Sequence, residues 1–173
     1  MKRTLVSLII AGALAAAAAG WQAAVHAAPS TPWLNVELKD VVSGKTFKLA
    51  DFKGKVVLIE MMAVWCPKCA AQQREMQKLS AELGDAVAMV SIDIDANENA
   101  EILRRHVETS NFKWVFVVAP RALTQQLVDA FGERIIDPPS TPMIILDKAQ
   151  RPKVLRFGVK PSAEIRQEIS KYR

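Results

Sequence analysis

Val56-Val57-Leu58-Ile59-Glu60-Met61-Met62-Ala63-Val64-Trp65-Cys66-Pro67-Lys68-Cys69 decides how the chain is read. Val56 to Ile59 is an unbroken apolar run, as expected of a strand buried on both faces. Pro67 suits the first turn of a helix, where its missing N–H costs nothing. Ala70, Met76, Leu79 and Leu83 then recur at helical spacing, and Gly84 is the stop signal. Two cysteines two residues apart therefore sit where a buried strand turns into a helix. The helix N-terminus offers unpaired N–H groups and a positive dipole end, which favour a thiolate at Cys66. At the turn, Cys66 is expected to be exposed and to attack. Cys69, one turn later, is expected to point inward and to resolve a mixed disulfide. Lys68 adds positive charge beside the thiolate, which favours the reduced form and makes the disulfide a better oxidant.

Other uses of the pair are weaker. A purely structural disulfide at this spacing closes almost no loop and removes little unfolded-state entropy. A four-ligand zinc site is out of reach within a chain of 2 Cys and 2 His. Two thiolates suffice for Cu(I), so a copper-handling metallochaperone or copper-site assembly factor is the alternative function. Met61 and Met62 are soft ligands nearby, but strand alternation sends them to opposite faces.

Outward from this stretch the chain alternates strands and helices. Asn35 to Leu38 and Thr46 to Leu49 read as a hairpin around Ser43-Gly44. Val87 to Ile94, Trp114 to Val118, Met143 to Leu146 and Val154 to Val159 read as further strands. Asn97 to Val107, Ala122 to Phe131 and Ser162 to Tyr172 read as helices, with Ser162 as an N-cap. This order predicts an α/β fold with helices on both faces of a sheet. The last two strands, joined by a short turn, are expected to be antiparallel. His106 reads as a partly buried surface histidine, and Trp114 and Phe116, on one face of a strand, read as core. Lys68, Arg74 and Lys78 read as a solvated helix face.

The N-terminus has its own logic. Met1-Lys2-Arg3 is positive, Thr4 to Ala19 is uncharged, and small residues end at Val25-His26-Ala27-Ala28. These are the three parts of a secretory signal, with cleavage expected after Ala27. An uncleaved anchor is the alternative, since spanning needs about 20 apolar residues. Residues 28–33 are read as a tether and 34–173 as the domain. Cleavage leaves 173 − 27 = 146 residues and removes two positive charges, taking +5 to +3. That mild charge lacks the Lys/Arg block of a nucleic-acid binder. Half the residues are hydrophobic, which excludes a disordered chain. Export implies the periplasm, where disulfides form.

These features together resemble the thioredoxin superfamily, and the hairpin with Leu49-Ala50-Asp51-Phe52-Lys53-Gly54-Lys55 resembles its TlpA/ResA-like exported branch. The resemblance covers roughly residues 33 to 172. It implies a thioredoxin fold, a central mixed sheet with an N-terminal hairpin extension and an inserted βα unit. It also implies a thiol–disulfide oxidoreductase without a cofactor, acting as a monomer on protein thiols or disulfides and served by a membrane electron donor. The branch leans towards a reductant for cytochrome c or other cysteine-site maturation, whereas Pro67 and Lys68 lean towards an oxidant. By position, Glu60 takes the place of a buried acid that moves a proton to and from Cys69. Pro142, after Ser140-Thr141, takes the place of a cis-proline facing the cysteines. Trp65, Pro67, Lys68 and Thr141 would then border the substrate.

Overall fold

The computed structural model describes residues 31–172. The expected signal and the first half of the tether, residues 28–30, lie outside the described residues. Strands β1 (Glu37–Lys39) and β2 (Thr46–Lys48) form the antiparallel hairpin. Then follow β3 (Val56–Met62), α1 (Pro67–Leu83), β4 (Val87–Asp93), α2 (Ala100–Ser110), β5 (Val115–Val118), α3 (Arg121–Phe131), β6 (Met143–Leu146), β7 (Pro152–Val154) and α4 (Ser162–Ser170). The main sheet has the order β5-β4-β3-β6-β7. β3, β4 and β5 are parallel, and β6 and β7 run antiparallel to their neighbours.

β3 is central, and all seven of its residues are buried. That explains its unbroken apolar reading, and it makes the one carboxylate in it conspicuous. Its residues alternate between two layers. Val57, Ile59 and Met61 join Leu123 and Leu127 of α3 with Leu38, Leu49, Trp33 and Leu34. Val56 and Leu58 join Met76, Leu79 and Leu83 of α1 and Ile165 and Ile169 of α4. Met62 meets Leu103 and Val107 of α2 and Phe116 of β5 in a third cluster that holds both cysteines. Met61 and Met62 therefore do lie on opposite faces. Removing one such buried Leu side chain costs about 2–5 kcal/mol.

Three local expectations need correcting. Trp33, assigned to the tether, is buried and packs edge-on against Phe131 of α3, with ring centroids 5.6 Å apart. The last strand stops at Val154. Beyond Leu155, Gly158 takes φ +90, and the segment wraps around the buried Lys160 side chain instead of extending the sheet. Ser162 is not a cap: Pro161 holds that position, and the Ser162 N–H donates to Glu75 Oε2 at 2.9 Å.

Candidate active site

The two cysteines sit where β3 hands over to α1. Cys66 is the N-cap of α1, and its Sγ accepts the Cys69 N–H at 3.2 Å. A side-chain acceptor satisfies one of the first-turn donors that every helix leaves orphaned. Both cysteines are free thiols. The Cys69 thiol donates to the Pro138 carbonyl at 3.3 Å. Burial, reinforced by Cys66 and by the charge of Glu60, pushes the Cys69 thiol well above the ordinary thiol range. Cys69 points inward as expected. Cys66, expected to be exposed, is only 1% exposed. The cause is packing: the sulfur sits in the cluster formed by Met62, Leu103, Val107 and Phe116. Trp65 beside it is 56% exposed, and Pro67 and Lys68 are exposed too. The indole N–H of Trp65 donates to Asp95.

Glu60 lies on the α1 side of β3 and is fully buried. Burial lifts its carboxyl to about 7, against the opposing pull of Ser91, Gln73 and Lys160. Its hydrogen bonds have a fixed direction. The Trp114 indole can only donate, and it does so to Ser91 Oγ at 2.9 Å. Ser91 Oγ therefore donates onward to Glu60 Oε2 at 2.7 Å. Gln73 Nε2 donates to the same oxygen at 3.3 Å, which turns Gln73 Oε1 towards His106 Nε2 at 2.9 Å. With two donors aimed at Oε2, the carboxyl proton belongs on Oε1, a buried atom without a partner. His106, partly buried as expected, thus ends a polar chain that begins at Glu60. Burial lowers its basicity.

Thr141 and Pro142 lie against β3, where the Met61 N–H donates to the Pro142 carbonyl at 3.1 Å. No peptide bond among the described residues is cis, so the cis Thr141–Pro142 bond is not found. The chain turns instead at Thr141, with φ 46 and ψ 59. Thr141 is fully buried. Its N–H donates to the Pro138 carbonyl at 2.8 Å, and its carbonyl accepts from Lys160 Nζ at 2.8 Å. Both backbone groups of Thr141, expected to border the substrate, are therefore used within the chain. Lys160 Nζ also donates to the Arg156 and Gly158 carbonyls. Burial, helped by Arg156, lowers this lysine to about 8.

Sequence reading missed Gln73, Ser91, Trp114 and Lys160 as parts of this network. One signal was present for Gln73: it falls on the inward stripe between Cys69 and Met76, a polar residue at a core position. No group of three or more His, Cys, Asp or Glu among the described residues could hold a metal ion. Among the same residues, no helix is long and apolar enough to cross a membrane.

The family model described as Redoxin matches residues 26–161. The chain belongs to the redoxin family. It is 26% identical over 126 residues to the thiol-disulfide oxidoreductase ResA of Halalkalibacterium halodurans, covering 73% of this chain and 67% of that protein. It is 37% identical over 60 residues to the thioredoxin-like protein YneN of Bacillus subtilis, which covers 35% of each. A ResA of Oceanobacillus iheyensis is 33% identical over 63 residues, 36% of this chain and 33% of the relative. In these last two the match spans about a third of the relative's length. A secreted disulfide oxidoreductase of Mycobacterium tuberculosis, described as homologous to DsbE of E. coli, superposes with a TM-score of 0.66 at 15% identity, over 82% of this chain and 99% of that one. A DsbF homologue of Corynebacterium diphtheriae gives 0.63 at 21%, over 79% and 83%. These structures show that this redoxin-family chain has a thioredoxin-like α/β fold with an added N-terminal hairpin.

Proposed function

We propose that this redoxin-family protein is an exported thiol–disulfide oxidoreductase that reduces protein disulfides through Cys66 and Cys69. The observation that carries the reading is the capped sulfur of Cys66 at the start of α1, with the buried Glu60, lifted to about 7, on the adjoining strand. The Cys66 thiolate attacks one sulfur of a substrate disulfide, forms a mixed disulfide and releases the other as a thiolate. Cys69 gives up its proton to the ionised form of Glu60, which is available because that carboxyl titrates at about 7. Cys69 then attacks Cys66 Sγ, closing the Cys66–Cys69 disulfide and releasing the second substrate sulfur. Two electrons pass to the substrate, and a dithiol donor at the membrane returns them. Trp65, Pro67 and Lys68 are the surface a protein substrate meets. The protein needs no organic cofactor and acts as a monomer.

The reducing direction rests on burial. A strong oxidant has a stabilised thiolate in its reduced form. Here burial holds Cys69 protonated, so the reduced pair lacks that stabilisation at its inner sulfur. Cytochrome c or other cysteine-site maturation in the periplasm is the process that uses such a reductant. The test is the equilibrium potential of the pair in glutathione mixtures. A value at or below about −250 mV supports the reductant, and one between about −120 and −180 mV makes the protein a disulfide donor. A pair that does not titrate reversibly would refute the exchange chemistry altogether, and Cu(I) retention by the two thiols would then be measured.

A further inference from the structure

The loop between β4 and α2 reaches the segment in front of Cys66 through carboxylates. Glu98 Oε2 accepts the Val64 N–H at 2.8 Å, and Glu98 Oε1 accepts the Trp65 N–H at 3.4 Å. These amides lie between the end of β3 and the cap of α1, so Glu98 supplies acceptors where neither element does. Behind Glu98, Asp93 ends β4 and is fully buried. Asp93 Oδ1 accepts the Asp95 N–H at 3.0 Å. Its Oδ2 has no donor, yet the Glu98 carboxyl lies within hydrogen-bonding reach. Two carboxylates can bond to each other only if one of them holds a proton.

We propose that Asp93 and Glu98 share one proton and that the resulting singly charged pair is a positioning clamp on the Val64–Trp65 backbone that presents Cys66. The proton sits on Asp93 Oδ2 and is donated to Glu98. Glu98 stays a carboxylate and keeps both amides. Burial, with the adjacent Glu98 and the charge of Asp95, moves the Asp93 carboxyl up to about 8. Above that pH two like charges meet, and the half-buried Glu98 is the one that can swing to solvent, releasing the two amides. The ionisable groups facing the pair are Asp95 on the same loop and, from α2, His106, whose charge couples to Glu98. The neighbouring strands place the apolar Met62 and Val118 beside Asp93.

The effect on reactivity rests on the reading of Cys66 as the attacking thiol; the clamp itself does not. The full reduced chain is followed from about pH 6 to about pH 9.5 by amide NMR at Val64 and Trp65 and by the Cys66 alkylation rate. In the native protein both amides move together near pH 8, and their hydrogen exchange quickens by about tenfold beyond the intrinsic pH effect, as expected for a lost bond of about 1.4 kcal/mol. Asp93→Asn donates to Glu98 without titrating, so its amides stay held across the range. Glu98→Ala leaves them unheld at every pH. A joint transition that survives in Asp93→Asn, or its absence from the native protein, overturns the clamp. Amides that follow the expectation while alkylation ignores them leave the clamp standing and count against Cys66 as the attacking thiol.

Discussion

Replacing Glu60 by Gln tests the buried acid through folding stability. Glu60 titrates at about 7 in the fold, against an ordinary 4.5. A shift of this size corresponds to about 3 kcal/mol between its two protonation states. The raised value fixes the sign. The native state holds the proton more tightly than the unfolded chain, so Glu60 favours folding below pH 4.5, and that contribution is lost as pH rises through 7. Gln keeps an amide that can bond to Ser91 and Gln73 but does not titrate. The native-minus-variant stability should therefore fall by roughly 2–2.5 kcal/mol from about pH 5 to about pH 7.5. Stopping there keeps Lys160, which titrates at about 8, from entering the difference. The assay is urea unfolding of the reduced proteins at several pH values, with the slope on denaturant held common. A difference flat to within about 0.5 kcal/mol would show that Glu60 is ionised through this range, and the proton-transfer role would fall with it.

Ser91→Ala removes a donor that lowers the Glu60 carboxyl and orphans the Trp114 indole; the Glu60 titration should move up, read by carboxyl NMR, and stability should fall by about 1–3 kcal/mol. Lys160→Met leaves three backbone carbonyls without their donor and should cost about 3 kcal/mol or more near neutral pH, measured by thermal unfolding. Because the lysine is lowered in the fold, the native protein should gain on this variant as pH rises from about 8 to about 10.5. Cys69→Ala should trap mixed disulfides through Cys66 on non-reducing gels, and Cys66→Ala should trap none; equal trapping by both would reverse the roles of the two thiols.

The sequence was most legible where one residue's neighbours in the chain are also its neighbours in space. The β3–α1 junction, the Gly84 stop and the hairpin follow from local periodicity and capping. Glu60 stood out as the carboxylate of an apolar strand, but its role as a buried acid came from the family resemblance and not from the local pattern. Its partners were not legible. Ser91 meets it through strand register, 31 positions away, and Gln73 through helix packing. Lys160 is the extreme case. A lysine between Val159 and Pro161 reads as a surface loop residue, and only the closure of residues 156–160 over Thr141 buries it. The same long-range packing places Trp33 in the core and Cys66 out of solvent, since neither burial is written in the residues beside them.

The disagreement between Lys68 and the buried pair can be weighed by magnitude. Lys68 is exposed, and an exposed charge acting on a neighbour is worth about 0–1 kcal/mol and is screened by salt. Because 30 mV corresponds to about 1.4 kcal/mol for a two-electron couple, that is about 20 mV of oxidising push at most. Burial is not screened in this way. It moves Glu60 alone by about 3 kcal/mol, and it acts on Cys69 in the same direction, against the charged form. The larger, unscreened effect opposes the smaller, screened one. A potential that changes little between low and high salt, and little more in Lys68→Gln, is the outcome this weighing demands. A shift of about 60 mV in Lys68→Gln would mean that the surface lysine governs the pair.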